Sequence, residues 1–366
     1  MKKYSKIVIN GRFLTQKLTG VQRYALEITK ALDSMLENEA FSVELALPQN
    51  TNNLPELKNI RIVYIGKKSG IIWEQSELAS YLNKTKALGL HLCNSVPFFS
   101  PKGIVCVHDI TYKVNPQFIT TKHLFFARIW HLIQYRIALK KSLHVFTVSQ
   151  YSKDEIIKNY HINLDKISVA YNGWQHFSTS ISQDIIFDKA FPNLKSGEYF
   201  FSLATAAKNK NFPWIVEAAR KTPESKFVVA GKIDLEKLGN AIGENLPSNL
   251  VLLGYVSDDE AKLLMKNCKA FLFPSFYEGF GIPPLEALAL GAKVICSNAA
   301  CLPEVFKDSV YYIDPNTPSP DLQELLKEKI TDSNQVLKLY DWKKSAEIYF
   351  LKIKKFLNCS ESIKNT

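Results

Sequence analysis

Two glutamates, Glu278 and Glu286, stand eight positions apart in the stretch FPSFYEGFGIPPLEALALG, residues 273–291. The apolar and aromatic run before them predicts a buried strand. The leucines and alanines after them have helical spacing and stop at Gly291, which predicts a helix. Proline is tolerated in the first helical turn, so Pro283 and Pro284 fix where this helix begins. The segment is therefore predicted to be a strand, a glycine turn and a helix start.

A turn of this kind is suited to binding an anion. The start of a helix presents N–H groups and the positive end of the helix dipole, which favour a phosphate. Glycines let a ligand approach the backbone closely. Glu286, one turn into the helix, is predicted to accept hydrogen bonds from a vicinal diol such as a ribose, with Glu278 beside the group that the phosphate carries. The residues of the predicted donor-binding turn are Gly279, Phe280, Gly281 and Ile282.

This segment resembles the nucleotide-sugar site of the retaining family 4 glycosyltransferases. The resemblance implies the GT-B fold, with two Rossmann-like parallel-sheet domains that face an interdomain cleft and a C-terminal helix that crosses back to the first domain. The resemblance covers nearly the whole chain in order, but only the segment from Glu278 to Glu286 is highly specific to the family. The alternative for this segment alone is an ordinary helix start with a surface glutamate.

The rest of the chain alternates strands and helices, which favours parallel sheets covered by helices on both faces. Its 366 residues suit two domains. We expect an acceptor-binding domain over 1–173, a polar linker over 174–197, a nucleotide-sugar domain over 198–340 and the crossing helix over 341–357. The predicted strands are 6–10, 42–48, 60–66, 88–94, 103–109, 144–149, 166–173, 199–205, 226–231, 249–256, 270–276 and 293–297.

Local signals mark several helix starts. The spacing of Ser257 and Glu260 predicts a capping box, and Ser152 with Glu155 repeats it. The helical stretch 122–141 is basic and aromatic, which is also typical of a helix on a membrane surface. Its apolar residues extend too far around the helix for a surface stripe, so we expect most of them in the core and the basic residues along one exposed edge.

His108 and Asp109 end the predicted strand 103–109, at the carboxyl edge where open α/β sheets bind ligands. A histidine there can donate to a sugar hydroxyl or to a departing oxygen, and the resemblance implies contact with the donor sugar. We interpret the other six histidines as ordinary helix or strand residues. Gly20 precedes the first predicted helix and is a second candidate for phosphate contact. The dinucleotide fingerprint GxGxxG is absent, and only one of the family's usual paired glycines is present here.

The segment 203–212, LATAAKNKNF, resembles the family segment whose lysine neutralises the diphosphate leaving group, and Lys210 matches that lysine. Many relatives carry an arginine five or six positions earlier, where this chain has Thr205 and Ala204. Either Lys208 supplies the second charge or one lysine is sufficient. The sequence has no Asp-x-Asp metal site, so the lysine and the helix start are expected to replace a metal ion, and no cofactor is expected. The predicted donor contacts in this segment are Thr205, Lys208 and Lys210.

Charge is distributed unevenly. Residues 1–175 hold 23 Lys and Arg against 12 Asp and Glu, and residues 176–366 hold 23 of each, so the first half carries the whole net charge of +11. This half is expected to face an anionic partner such as a membrane surface, a phosphorylated acceptor or nucleic acid. No apolar run approaches the roughly 20 residues that span a bilayer, and no signal core follows Met1. We therefore expect a cytoplasmic protein, peripheral at the inner face of the membrane.

These patterns predict a metal-independent, retaining glycosyltransferase. It moves a sugar from a UDP- or GDP-sugar to a saccharide acceptor, expected to be lipid-linked, in the assembly of bacterial surface polysaccharide such as O-antigen or capsule. One alternative is another GT-B activity, such as a nucleotide-sugar epimerase. A second is a non-enzymatic nucleic-acid-binding protein, although the motifs of nucleic-acid readers are absent. The six cysteines have no CxxC spacing and are interpreted as buried thiols rather than a disulfide or zinc framework.

Overall fold

The computed structural model describes residues 4–100, 102–119, 121–177, 187–235, 242, 245–317 and 320–357. The chain divides into two compact units. Unit 1 comprises Met1–Asn172 and Trp342–Thr366, and unit 2 comprises Gly173–Asp341. Of the predicted linker 174–197, residues 178–186 lie outside the described residues.

Unit 1 is built on a seven-stranded parallel sheet, in the order β3-β2-β1-β4-β5-β6-β7. Most of its strands are apolar and fully buried, as expected for a sheet that is covered on both faces. The strands are β1 Lys6–Asn10, β2 Ser42–Leu47, β3 Arg61–Tyr64, β4 Leu88–His91, β5 Ile104–Cys106, β6 His144–Thr147 and β7 Ile167–Val169. All seven were predicted, with ends that differ by a few residues.

The helices of unit 1 fill the connections between these strands. A π-helical stretch, Trp73–Leu78, joins the second and third helices, and short 3-10 helices occur at Gly11–Thr15, Pro116–Phe118 and Leu164–Lys166. The α-helices are α1 Gly20–Asp33, α2 Gly70–Ile72, α3 Ala79–Thr85, α4 Thr111–Val114, α5 Lys122–Lys141 and α6 Gln150–Tyr160.

Helix α5 differs from its prediction. In its second half it buries Gln134, Tyr135, Ala138 and Leu139, but no residue from 122 to 132 is buried. The first half contacts α4, which is a single turn. The large apolar side chains left exposed are Phe125, Phe126, Ile129 and Ile133. The expectation that most apolar residues of this helix lie in the core is therefore wrong for its first half.

The two predicted capping boxes have different outcomes. Ser257 accepts a hydrogen bond from the Glu260 amide, and the Glu260 carboxylate accepts one from the Ser257 amide, as predicted. The box at Ser152 and Glu155 is wrong, because α6 begins one turn earlier. Its N-cap is Ser149, whose hydroxyl accepts from the Ser152 amide.

Unit 2 is built on a six-stranded parallel sheet, in the order β10-β9-β8-β11-β12-β13. Its strands are β8 Tyr199–Leu203, β9 Lys226–Ala230, β10 Leu250–Gly254, β11 Ala270–Phe273, β12 Val294–Ser297 and β13 Tyr311–Ile313. The edge strand β13 was not predicted. Strand order reverses between β8 and β11, and a crevice forms at the carboxyl ends of strands at such a point.

Helices again connect the strands of unit 2. They are α7 Phe187–Ala190, α8 Phe212–Lys221, α9 Asp258–Asn267, α10 Ile282–Ala289, α11 Leu302–Phe306, α12 Leu322–Leu325 and α13 Asn334–Leu337. Phe200 and Phe227 of the sheet pack with Trp214 and Ile215 of α8 in a buried apolar core. The sheet thus holds the loops at its carboxyl edge on a rigid base.

The last described helix, α14 Trp342–Leu357, belongs to unit 1 although it follows unit 2 in the chain. It packs on α1, where the Tyr24 and Tyr349 hydroxyls lie 3.1 Å apart. Lys354 pairs with Glu39 at 3.0 Å. The predicted helix that returns to the first domain is confirmed, as are the two parallel-sheet α/β domains.

Candidate functional site

The glycine turn after β11 leads into α10 as predicted. Gly281 is the N-cap of this helix and has a left-handed backbone, with φ of 94°. A β-carbon at this position would lie 2.8 Å from Cδ2 of Leu302, so both the backbone and the packing require glycine. Pro283 and Pro284 occupy the first turn and carry no N–H. The amides that can meet an anion at this helix start therefore come from the turn and from Ile282.

A second loop, after β8, meets this turn at the reversal of strand order. Lys210 ends a 3-10 helix, Lys208–Lys210, and its Nζ lies 2.7 Å from Oε1 of Glu278. The Phe276 amide donates to the Asn209 carbonyl at 2.8 Å and fixes the two loops together. Asn211 adds a hydrogen bond to the Pro274 carbonyl at 3.1 Å. Lys210 and Glu278, which are 68 positions apart in sequence, are thus brought together as an ion pair.

The Lys210 pair is only partly accessible to solvent. The Glu278 side chain is 14% exposed and that of Lys210 27%. The Lys210 ammonium also lies 5.1 Å from the centre of the Phe273 ring. Because an ammonium has three donors, Lys210 can bridge Glu278 and an incoming phosphate at the same time.

The other two predicted donor contacts of the β8 loop are less constrained. The Thr205 hydroxyl accepts a hydrogen bond from the Ala207 amide at 3.3 Å, at an exposed position. Lys208 is exposed on the same 3-10 helix as Lys210.

Glu286 is buried on α10 and does not point into solvent as a surface glutamate would. Its Oε1 lies 2.8 Å from Nε2 of His176, and the two side chains are 10% and 3% exposed. His176 belongs to the 3-10 helix Gln175–Phe177, in the segment predicted to be a linker. His176 was predicted to be an ordinary helix or strand residue, because a contact across 110 positions leaves no local pattern.

Two neighbours of His176 anchor its segment within unit 2. The Trp174 indole donates to the Leu337 carbonyl at 3.0 Å, and the Gln175 amide group donates to the Tyr340 carbonyl at 3.0 Å. The Tyr340 ring meets the Phe280 ring edge to face, with centres 5.1 Å apart. The segment that carries His176 is thereby connected to the glycine turn.

Two buried hydroxyls lie at the same edge of the sheet. Ser275 follows β11 and Ser297 ends β12, and both are almost fully buried. Among the described residues, neither hydroxyl oxygen has a hydrogen-bond partner. A buried polar group of this kind normally bonds to water or a ligand. Neither serine was predicted to be a site residue, because an isolated serine at a strand end carries no distinctive signal.

His108 lies in unit 1, two positions after β5. Its Nε2 is 2.9 Å from the Leu92 carbonyl, and because a carbonyl only accepts, Nε2 carries the proton. Burial lowers the pKa of His108, although the Leu92 hydrogen bond and the nearby Asp109 charge oppose this. In the neutral ring Nδ1 can therefore accept a hydrogen bond but cannot donate one. The role predicted from sequence, donation from the ring, requires the charged form that burial disfavours.

His108 is oriented by α1. Its ring meets that of Tyr24 edge to face, with centres 4.8 Å apart, and its amide donates to the Asn94 side chain at 2.7 Å. Gly20, the second candidate in unit 1, is the first residue of the same helix and lies one turn before Tyr24. Its N-cap Thr19 makes no side-chain capping bond.

Both halves of the chain match known domain families. The profile of glycosyltransferase family 4 matches residues 18–175, and that of glycosyl transferases group 1 matches residues 184–347. The chain belongs to the family 4, group 1 glycosyltransferases. This glycosyltransferase is therefore an enzyme, and the alternative of a non-enzymatic nucleic-acid-binding protein is wrong.

Two curated relatives act in O-antigen synthesis. The O-antigen chain mannosyltransferase RfbU of Salmonella typhimurium is 29% identical over 218 residues, which cover 58% of this chain and 56% of the relative. The match thus spans about half the length of RfbU. O-antigen chain mannosyltransferase B of Escherichia coli is 25% identical over 350 residues, with 85% of this chain and 87% of the relative covered.

Solved structures show the same fold. Anabaena HepE, crystallised with UDP and glucose, superposes on this glycosyltransferase with a TM-score of 0.66 at 15% sequence identity. The superposition covers 96% of this chain and all of HepE. At this identity the likeness concerns the fold alone.

Three further features describe the glycosyltransferase outside the donor loops. Within the described ranges, no cluster of three or more His, Cys, Asp or Glu is placed to hold a metal ion. Five cysteines, 93, 106, 268, 296 and 301, are free thiols, and Cys359 lies outside the described residues. None of the described helices combines the length and the apolar character that a bilayer span requires.

A buried polar network in unit 1 was not predicted. Glu74 is fully buried and accepts hydrogen bonds from Asn10 at 2.6 Å and from Ser95 at 2.7 Å. Its other carboxylate oxygen lies 3.3 Å from Nε of Arg12. Asn10 ends β1 and Ser95 follows β4, which is where strand order reverses in this sheet. No local motif connects residues 10, 74 and 95, so only the folded chain reveals them as a group.

Proposed function

We propose that this glycosyltransferase transfers a hexosyl group from a nucleoside diphosphate sugar to a saccharide acceptor, with retention of anomeric configuration and without a metal ion. The observation that carries the proposal is the pairing of Lys210 with Glu278 beside the start of α10, where strand order reverses in unit 2. This arrangement provides a cation and backbone donors for a diphosphate. HepE, which has the same fold, binds UDP.

In this mechanism, the bond from the anomeric carbon to the diphosphate oxygen breaks, and negative charge accumulates on the diphosphate. Lys210 and the backbone from Phe280 to Ile282 stabilise that charge. The acceptor hydroxyl attacks the same face of an oxocarbenium-like sugar, and its proton passes to the departing phosphate oxygen. Glu278 lies beside Lys210 to position the donor sugar, and neutral His108 accepts a hydrogen bond from a sugar hydroxyl.

Recognition of the nucleoside is assigned to Glu286. A carboxylate can accept hydrogen bonds from both hydroxyls of a ribose. His176 holds Oε1 of Glu286, and the second oxygen is the one that the ribose would meet first. Among the remaining predicted contacts, Gly20, Gly279, Thr205 and Lys208 are proposed as secondary contacts to the donor.

The acceptor is proposed to be a lipid-linked saccharide of a bacterial surface polysaccharide, bound by unit 1 at the inner face of the cytoplasmic membrane. Support comes from the two O-antigen relatives and from the net charge of the first half. The exposed apolar face of α5 adds a structural reason, since apolar side chains among basic ones are typical of a helix that lies in a membrane interface.

The direct test is a thermal-shift screen of the full chain against UDP- and GDP-sugars, followed by transfer assays with the sugars that bind. A ligand at a hundred times its dissociation constant stabilises the fold by about 2.7 kcal/mol. Because both curated relatives are mannosyltransferases, a GDP-linked mannosyl donor is tested first. Failure of every nucleoside diphosphate and nucleotide sugar to stabilise the protein would contradict the proposal.

A further inference from the structure

A groove of about 690 Å³ lies in unit 1. Its walls are the second half of α5, the end of α6 and the 3-10 helix Leu164–Lys166. Four of its lining residues are cations, and its lining includes neither Asp nor Glu. We call it the basic groove and define it by Lys113, Arg136, Lys140 and Lys166.

Helix capping explains only part of this charge. The Lys166 ammonium donates to the carbonyls of Leu139 at 2.8 Å and Lys140 at 2.9 Å, so it covers the carboxyl end of α5. Arg136 lies more than one turn before that end and has no such role. The basic groove therefore gathers more positive charge than the helix end requires.

Lysines outside the lining add positive charge to this region. Burial lowers the pKa of Lys166, and the charge of Lys102 lowers it further. Burial lowers the pKa of His144 to about 3, and the charges of Lys352, Lys166 and Lys355 act in the same direction. Cations crowded in this way are stabilised when an anion binds between them.

The neutral groups of the groove are suited to the same ligand. Burial raises the pKa of Tyr160 to about 12, so its phenol keeps its proton and can donate. The Asn163 side-chain oxygen accepts from the Asp165 amide at 2.9 Å, which leaves its nitrogen as the side-chain donor. Guanidinium and ammonium groups with neutral donors are the usual partners of phosphate oxygens. We propose that the basic groove binds a phosphate group, carried either by a lipid headgroup or by a free phosphorylated compound.

The surface of α5 favours the lipid as the source. Ile129, Ile133, Arg136 and Lys140 follow one another at intervals of four, three and four residues, so they share one helix face, and all are exposed. This face changes from apolar to basic along its length. This face matches a phospholipid, because its apolar part can contact the acyl chains while its basic part contacts the headgroup phosphate.

The test compares two triple variants of the full chain with equal loss of charge. The groove variant carries Lys113→Gln, Arg136→Gln and Lys140→Gln, and leaves Lys166 in place because it caps α5. The control variant carries Lys58→Gln, Lys67→Gln and Lys84→Gln, which are exposed lysines of unit 1 outside the groove. Circular dichroism melts establish that both variants are folded.

Binding is measured to phosphatidylcholine vesicles that contain roughly one third phosphatidic acid, and separately to pyrophosphate by calorimetry. For a lipid ligand, the groove variant should bind the vesicles at least about tenfold more weakly than wild type, with little change in the control variant. For a free phosphate compound, a Lys210→Ala protein, which lacks the cation of the donor site, should still bind pyrophosphate saturably. Adding the groove substitutions to it should abolish that binding, and vesicle binding should not distinguish the groove and control variants. Equal losses in both variants, or no binding of either probe, would overturn the proposal.

A second inference rests on the proposed donor site and on a different observation, the contact between His176 and Glu286. A buried carboxylate requires donors, and His176 supplies one at 2.8 Å from a segment that Trp174 and Gln175 anchor. This bond fixes the rotamer of Glu286 before any ligand arrives. The geometry points to His176 as a positioning residue that orients Glu286 toward the ribose diol of the donor.

Nucleotides with and without ribose hydroxyls separate this role from a structural one. His176→Phe should weaken the ribonucleoside diphosphate about tenfold and leave its 2′,3′-dideoxy analogue nearly unchanged. His176→Gln, which keeps a donor at the end of the side chain, should restore part of the loss. In a Glu286→Ala background, His176→Phe should have no further effect on nucleotide binding.

Equal weakening of both nucleotides by His176→Phe, or additive effects in the double variant, would show that His176 does not act through Glu286. Wild-type protein that binds neither nucleotide would contradict the proposed donor site itself. Wild-type protein that binds both equally would remove the ribose role of Glu286 and, with it, the positioning role of His176.

Discussion

The donor loops of unit 2 and the basic groove of unit 1 differ in how their charges are paired. In unit 2, the charged side chains of the donor loops are paired with each other, as Lys210 is with Glu278 and Glu286 is with His176. In unit 1, cations gather around the basic groove without acidic lining, and apolar side chains of α5 are exposed. Paired charges hold side chains in place for a small ligand of defined geometry. Unpaired charges beside apolar side chains suit an extended anionic partner.

The largest expected effect is that of Lys210→Ala. It removes the cation that meets the diphosphate and leaves the largely buried Glu278 without its partner. The rate of transfer should fall about a hundredfold or more, the scale for loss of one preorganised donor. Lys221→Ala is the matched control, because it removes the same charge from an exposed position at the end of α8, outside the donor loops. Similar losses in both variants would indicate that total charge matters and not the pair.

His108→Ala should also lower the rate about a hundredfold. The dependence of kcat/KM on pH identifies the protonation state of the His108 ring. Because burial places the pKa of His108 below the ordinary value of 6.5, the accepting neutral form persists at neutral pH. Measured kcat/KM should fall only at pH values below 6.5, as Nδ1 takes a proton, and the remaining activity of the alanine variant should lack this decline. A profile that rises as the ring becomes charged would instead favour donation from His108.

Glu286→Ala should weaken nucleoside diphosphate binding by about 1.5 to 3 kcal/mol, the range for hydrogen bonds to a charged group. Calorimetric titration measures the change, and Glu224→Ala, at an exposed position of unit 2, is the control. Glu278→Ala should instead reduce turnover more than binding. Wild-type affinity in the Glu286 variant would refute its assignment to the ribose.

Exposed apolar residues of α5 provide the corresponding test of unit 1. Phe125→Ser with Phe126→Ser should weaken binding to anionic vesicles about tenfold, because each ring loses part of its burial in the interface. Ile348→Ser with Leu351→Ser, on an exposed face of α14, is the control. Salt of about 0.5 M should largely release the wild-type protein, since it screens charges beyond a few ångströms. Vesicle binding that neither change affects would assign the membrane contact to another surface.

The smallest effect is expected from a chelator. If Lys210 and the start of α10 replace a metal ion at the diphosphate, excess EDTA should leave the rate of transfer unchanged. Dialysed protein, assayed with and without added manganese or magnesium, provides the comparison. Loss of activity in chelator with recovery on addition of either metal would defeat this picture.

The sequence predicted those parts of the molecule that local patterns determine. Each of the twelve predicted strands is present, because a buried parallel strand is a short apolar run that can be recognised alone. The turn at Gly281 and the start of α10 were equally predictable, since glycine and proline have narrow backbone preferences. The family resemblance supplied the relation between the loops of Lys210 and Glu278, which lie 68 positions apart.

The features that were missed depend on contacts between distant residues. His176 meets Glu286 across 110 positions, and Glu74 meets Asn10 across 64. The apolar residues of α5 were predicted to lie in the core because their number suggested a covered helix, whereas their exposure depends on which elements pack beside the helix. Ser149 displaced Ser152 as the cap of α6, since both serines fit the local pattern and only the packed helix decides between them.

The packing of α14 on α1 affects how the protein is made. Unit 1 requires residues 342–357, so the ribosome completes unit 2 before the chain can finish unit 1. Until then, the surface of α1 around Tyr24 lacks its Tyr349 partner, and apolar surface stays uncovered. A nascent chain halted before residue 342 would present that surface to chaperones and proteases. Unit 1 can therefore bury its apolar surface around Tyr24 only after α14 has been synthesised.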